Sequence, residues 1–285
     1  MPFSGEPALR AKSEGMALIA VLWIVAALSI MISGVQTSVR SEIRIVGAGR
    51  QALEAVALGE AAMHMALQDL AASKERSARR LARDYFYAGR GMQVELSPLN
   101  GLIDLNKAPR DLLAALYEQA GPMSSQQAAA LAEDTVQYRA QRDTQGREVG
   151  FESVQDLLSV PGVDYNLYAR LSALVTADLQ GSGRVNPLAA PLEVLSVLAS
   201  EDRSSAIAIF DRQTAAVGGA DIDATGLNAQ WVGFSATTRY RVQVRVPTQD
   251  GGGVMVVRHV DTRPDRFTGV PWRIFNAEHW MVAPH

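Results

Sequence analysis

The sequence predicts an α+β protein: a long N-terminal helix packed on an antiparallel sheet, with a large all-helical domain inserted between the strands. Three observations lead there. No proline occurs between Pro7 and Pro98, so no pyrrolidine ring breaks a helix in that stretch. Near the other end, Thr238, Tyr240, Val242, Val244 and Val246 alternate with Arg239, Arg241, Gln243 and Arg245. That is the period of two of a strand with one apolar and one basic face. Between these regions, from Asn106 to about Ala199, the sequence reads as helix, with proline-opened helical starts.

The N-terminal helix begins behind a short charged leader, Met1–Gly15, which carries Glu6, Arg10, Lys12 and Glu14. From Met16 to Val39 there is no charged residue, and Met16–Ile32 is apolar except for Ser29. A bilayer core about 30 Å thick takes about 20 apolar residues as a helix, so this segment is long enough to span. Two other readings compete. A buried core helix usually keeps a polar face, and this run has none. A cleaved secretory signal has an apolar region of about 7–15 residues ending at a small-residue site; this run is longer and continues into helix-like sequence. Arg10 and Lys12 precede the run while Arg40, Arg44 and Arg50 follow it, so charge counting leaves the orientation open. Beyond it, Ile43, Val46, Leu53, Val56, Met63, Leu67 and Leu70 recur at helical spacing. Glu60 interrupts that face, and Gly47 and Gly49 are poor helix formers. A helix from Met16 to Ala72 is roughly 85 Å long at 1.5 Å per residue, and its second half needs a partner surface that a sheet supplies.

Ser73–Arg83 is basic and expected to be solvated, with a shorter helix continuing it. Gln93–Ser97 alternates, Pro98–Gly101 reads as a turn and Leu102–Leu105 as a returning strand, together a hairpin. Ala108–Leu116 opens a helix with Pro109 in its first turn and Asp111 shortly after. The same unit returns at Ala190–Leu198; Asn106 precedes the first copy and Asn186 the second. Ser125–Gln141 is a further helix, Gly181-Ser-Gly183 a joint and Ala215–Ala229 a loop. After the strand Thr238–Val246, Asp250–Gly253 turns the chain into a return strand, Val254–Val260, and the tail Pro271–Trp280 covers the sheet edge. The expected divisions are residues 1–15 as leader, 16–39 as membrane half-helix, 40–105 as helix and hairpin, 106–215 as the inserted helical domain and 216–285 as the closing strands.

The junction Glu14-Gly15-Met16, with the apolar run behind it, resembles the N-terminus of type IV pilins and type II secretion pseudopilins. In those families a membrane peptidase cuts after the glycine on the cytoplasmic side. The resemblance therefore implies cleavage between Gly15 and Met16 and methylation of the new Met16 amine. Most such proteins carry Glu at the fifth mature position, where this chain has Ala20. Among pseudopilins that absence is typical of the K-type minor pseudopilin. Four later segments fall in the matching order: Gly101–Ala108, Phe151–Gly162, Val185-Asn186 with Ala190-Pro191, and Tyr240–Val246. Over nearly its whole length the chain resembles the K-type minor pseudopilin family of type II secretion. That resemblance implies a pilin-like fold with a helical insertion and a complex with the I- and J-type minor pseudopilins. It implies a position at the tip of the pseudopilus, ahead of the major pseudopilin, and processing by prepilin peptidase. It also implies a single-pass inner-membrane protein with its C-terminal domain in the periplasm.

Other classes fare less well. The chain is 48% hydrophobic and 20% charged with a net charge of −3, and its sequence pI near 5.9 offers nucleic acid no general attraction. It has no cysteine, which excludes disulfides and thiolate metal sites. The alternative reading is a membrane-tethered helix-hairpin-helix DNA-binding module built on Leu157–Asp164. Asp164 would face the phosphate there, and Arg170 is the one base within Phe151–Leu171, where phosphate binding needs several. The basic strand face of Arg239, Arg241 and Arg245 reads as a solvated sheet face, or as a surface for an acidic partner. Some pseudopilins of this group bind calcium through oxygen ligands. Asp221 and Asp223 are the candidates here, without a calcium-loop array, so no cofactor is expected and the metal question stays open. His64, His259, His279 and His285 form no short-range ligand pattern. No Gly-x-Ser-x-Gly elbow is present. Gly47-Ala-Gly49 lacks the third glycine of a dinucleotide loop, and no enzymatic activity is expected.

Overall fold

The computed structural model describes residues 11–73, 78–177, 181–200, 202–215, 224–248, 251–264 and 269–283; within them, the side chains of 11–17, 30, 32–46, 48, 214 and 215 are not described. The chain forms two compact units, Met1–Glu54 and Ala55–His285. Helix α1 runs from Ala11 to Ala72. In the first unit its described large apolar side chains between Leu18 and Met31 are more than half exposed, from 53% at Leu28 to 74% at Trp23. The hydroxyl of Ser29 donates to the Val25 carbonyl at 2.8 Å, so this polar side chain is satisfied within the helix.

The second unit opens with the remainder of α1, whose buried stripe is Ala55, Leu58, Ala62, Met63, Ala66 and Leu67. It packs on a five-stranded antiparallel sheet of order β1-β2-β5-β6-β7. The strands are β1 (Leu81–Tyr87), β2 (Arg90–Pro98), β5 (Arg239–Pro247), β6 (Gly253–Asp261) and β7 (Arg273–Val282). Met92, Val94 and Leu96 on β2, Tyr240, Val242, Val244 and Val246 on β5, and Val254, Val256 and Val260 on β6 form the sheet's share of that core. The expected alternation in β5 appears directly: its apolar residues are buried, and the intervening ones are more accessible. Glu60 interrupts the helical stripe because the guanidinium of Arg258, buried on β6, donates to its carboxylate at 2.7 Å.

The chain between β2 and β5, which are sheet neighbours, forms the helical insertion with its own core. It contains β3 (Ile103–Asp104), α2 (Arg110–Ala120), α3 (Ser125–Ala140), a 3-10 turn (Val154–Ser159), α4 (Tyr165–Leu171), β4 (Val175–Thr176), α5 (Leu192–Leu198) and α6 (Arg203–Ala215). Pro109 and Pro191 are the N-caps of α2 and α5, and Ser124 opens α3 with a capping box to Gln127. The repeat seen in the sequence is structural. Each copy starts from a short parallel pairing, β3 with β4 and Val185 with Val232. Each then uses its asparagine as a clamp. Asn106 donates to the Phe151 carbonyl at 2.9 Å and accepts from the Phe151 amide at 2.7 Å. Asn186, fully buried, donates to the Ala78 carbonyl at 2.5 Å and accepts from the Leu188 amide at 3.1 Å.

Three local expectations are corrected. Leu102–Leu105 does not return as the hairpin partner of Gln93–Ser97. A 3-10 turn at Leu99–Gly101 carries the chain away from the sheet, and Ile103–Asp104 pairs in parallel with Val175–Thr176. The hairpin partner is β1, which occupies part of the stretch read as a solvated helical continuation. Ala88 and Gly89 join the two strands with φ of 49° and 77°, the left-handed pair that a tight two-residue hairpin loop requires. The tail is more than a cover, since β7 pairs along its length with β6 as an edge strand.

Candidate functional site

Gly15 and Met16 lie inside α1, where their backbone alone is described. Ala20 is exposed on that helix, among the bare apolar side chains of Leu18, Ile19 and Leu22. Among the described residues no helix is long and apolar enough to cross a membrane. The side chains of 16, 17, 30 and 32–39, which complete the apolar segment, lie outside them. Asp221 and Asp223 also lie outside the described residues. Among the described residues, no group of three His, Cys, Asp or Glu side chains converges as metal ligands would.

The hairpin at Pro161–Asp164 is built for capping. The Asp164 carboxylate accepts from the Leu167 amide at 2.8 Å as the N-cap of α4. A negative side chain therefore holds the amide that a phosphate would need, and it does so on a helix of seven residues.

Sequence reasoning missed the cleft where the helical insertion meets the far face of the sheet. The cleft has a volume of about 420 Å³. Its floor is Arg241 on β5, His259 on β6 and Asn276, Glu278 and Trp280 on β7; its roof includes Glu152–Gln155, Tyr168, Ser172, Ala173 and Val175–Ala177. A register shift between His259 and Val260 leaves Phe275 as the extra residue of β7, and its ring meets His259 edge-on at 5.8 Å. The same ring lies under the Arg239 guanidinium at 5.1 Å. Arg239 also pairs with Asp261 at 3.4 Å, its side chain 12% exposed. The face read as solvated is therefore largely covered at Arg239 and Arg241, while Arg245 stays exposed. The alternation signalled a basic face, but the insertion that covers it comes from distant sequence.

Electrostatics in the cleft follow from that cover. Burial pulls the Arg241 guanidinium below its usual range, with Glu278 and Glu95 opposing. Burial, then the neighbouring Arg241 charge, pushes His259 down to about 4 against the pull of Glu278. His259 is therefore neutral in the folded protein at neutral pH. Its folded value lies below its unfolded one, so the stability it contributes is complete above about pH 6.5. That contribution is lost as the pH falls through about 4. The expected loss is roughly 3 kcal/mol across that window. Urea titrations of the wild type and of His259→Gln from pH 7 to pH 4 should show the substitution flattening the decline. An equal decline in both would assign the acid sensitivity elsewhere.

No family model and no curated protein matches this chain. Among solved structures, it is similar to a chain in the crystal structure of the GspK-GspI-GspJ complex from the type 2 secretion system of enterotoxigenic Escherichia coli. The likeness covers 85% of this chain and 99% of that one, at 16% sequence identity and a TM-score of 0.53. At that identity the likeness establishes fold alone: this chain shares its α+β arrangement with a chain of that complex.

Proposed function

We propose that this chain is a minor pseudopilin of the K type in a type II secretion system, a structural subunit without catalytic activity. The observation that carries the reading is the fold shared with a chain of the GspK-GspI-GspJ complex across 85% of the present sequence. The N-terminal sequence adds to it: Gly15 before the apolar Met16 suits prepilin peptidase, and the new Met16 amine is the methylation point. The uncharged stretch Met16–Val39 then anchors the chain once in the inner membrane, N-terminus cytoplasmic and C-terminal domain periplasmic. The bare apolar side chains between Leu18 and Met31 suit lipid before assembly and neighbouring helices afterwards. In this reading the partners are the I- and J-type minor pseudopilins and, below them, the major pseudopilin.

Ala20 has no carboxylate to offer the terminal amine of a subunit ahead of it, so the subunit sits first. The insertion between β2 and β5 makes the head bulky, which suits a cap better than a position within a filament. At the tip the protein initiates pseudopilus assembly for export of folded proteins across the outer membrane. The test is the N-terminal sequence and intact mass of the membrane-extracted protein after co-expression with a prepilin peptidase. A start at Met16, with or without one added methyl, is expected. A start at Met1, or one beyond Ser29, would overturn the pseudopilin reading.

A further inference from the structure

The cleft between the insertion and the sheet holds a guanidinium with a buried donor that nothing among the described residues accepts. The Nε atom of Arg241 is buried and has no hydrogen-bond partner, and among the described residues Arg241 forms no ion pair. Leaving a buried donor without an acceptor is unfavourable, and here it is the Nε of a partly buried guanidinium. The fold therefore leaves a donor free in a cleft large enough for a guest.

The surroundings define that guest. A guanidinium presents a planar fork of donors that matches a carboxylate in two parallel hydrogen bonds. Beside it, His259 stays neutral and so competes with no charge of its own. The rings of Tyr168, Phe275 and Trp280 line the same space and give an apolar body something to pack on. Glu278 also lines it, but its carboxylate accepts from the Asn276 amide at 2.9 Å and is exposed. A negative rim around one positive interior point favours a guest whose single carboxylate reaches inward while its remaining part is apolar or donates hydrogen bonds. A peptide segment with an aromatic side chain next to a carboxylate has that composition.

We propose that this cleft is a binding site for a peptide carboxylate, held by Arg241 on the floor and flanked by the three aromatic rings. The carboxylate comes from an acidic side chain or from a chain terminus. The site requires neither a membrane anchor nor a place in a filament, so it stands or falls separately from the pseudopilin reading.

The full-length chain in detergent micelles is titrated calorimetrically with three probes. The first is a blocked pentapeptide with one phenylalanine and one glutamate, and the second is its glutamine counterpart. The third is a glutamine-containing peptide with phenylalanine and a free C-terminal carboxylate. Either carboxylate probe, or both, should bind at least about tenfold more tightly than the blocked glutamine peptide, a difference of about 1.4 kcal/mol. The stronger of the two identifies the source. Arg241→Gln should remove the advantage. Arg241→Met, which also lacks the planar fork of donors, should lose the advantage in the same way. Equal binding of all three probes, or an advantage that survives Arg241→Gln or Arg241→Met, would each overturn the proposal.

Discussion

Replacing Gly59 with leucine should unseat α1 from the sheet and cost more than about 3 kcal/mol. The reason is the closeness of approach. A Cβ at Gly59 would lie 2.7 Å from Val256 Cγ2, 3.1 Å from Val256 Cβ and 3.3 Å from Val246 Cγ2. The neighbours are β-branched, held in few rotamers, and fully buried on the interior strands β5 and β6. Neither valine can swing aside as a lysine would. Even Gly59→Ala sets a helix-propensity gain of about 1 kcal/mol against an overpacking cost of roughly 1–3 kcal/mol. Leucine adds three further carbons to the same spot, and the helix must lift. Thermal unfolding of the full-length protein followed by circular dichroism provides the check. A loss of about 3 kcal/mol corresponds to a fall in Tm of roughly 6–12 °C for a chain of this size. Leu53→Ala is the control, because that side chain is 74% exposed and its loss should leave Tm nearly unchanged. A Gly59→Leu protein as stable as the control would show that the helix does not seat at this point.

That contact explains why the helix was legible in the sequence and its packing face was not. The absence of proline and the recurrence of apolar residues marked the element, yet the expected stripe included Leu53, which is exposed, and omitted Ala55, Ala62 and Ala66, which are buried. A hydrophobicity pattern weights large side chains. A helix set closely on a sheet uses small ones where the backbones approach, and these carry little signal of their own. The opposite case is β5, where valines alternate with charged residues and the burial follows the alternation. Here propensity and packing demand the same period. The β1–β2 hairpin escaped because its turn places Ala88 at positive φ, a position where Gly or Asn would have announced it.

The cleft was illegible for another reason. Arg241, His259 and Glu278 come from three strands, and their roof comes from residues 152–177, far from any of them in sequence. The alternation placed Arg241 on a non-core face, which is correct. It gave no sign that a second core, built around Leu112, Leu116, Phe151 and Leu195, would stand over that face and partly cover Arg241 and His259. By contrast the repeat was visible, because an asparagine followed by a proline-opened helix recurs in both copies, although the two asparagines clamp different partners.

Removing one partner of the Glu60–Arg258 pair should be more harmful than removing both. The Arg258 side chain is 7% exposed and that of Glu60 46%, so the pair straddles the edge of the core. Arg258 donates to the Val257 and Glu278 carbonyls at 2.8 Å each as well as to Glu60 at 2.7 Å. It thereby links the helix to two neighbouring strands. Glu60→Met leaves a buried guanidinium with two carbonyl partners and no counter-charge. Breaking a buried pair typically costs about 3–5 kcal/mol. The half-exposure of Glu60 weakens its Coulomb share, so the expected loss falls below that range, at about 2–3 kcal/mol. In Glu60→Met/Arg258→Met the buried charge is gone and two flexible apolar chains fill the space. The carbonyl of Glu278 loses a donor, but β7 is an edge strand and water can replace it. The double variant should therefore recover at least about 1 kcal/mol relative to Glu60→Met, measured as a coupling term in urea unfolding. Additive losses would mean that Arg258 is held by its carbonyls alone and that Glu60 is a spectator. That outcome would leave the interruption of the helical stripe without the electrostatic cause assigned to it here.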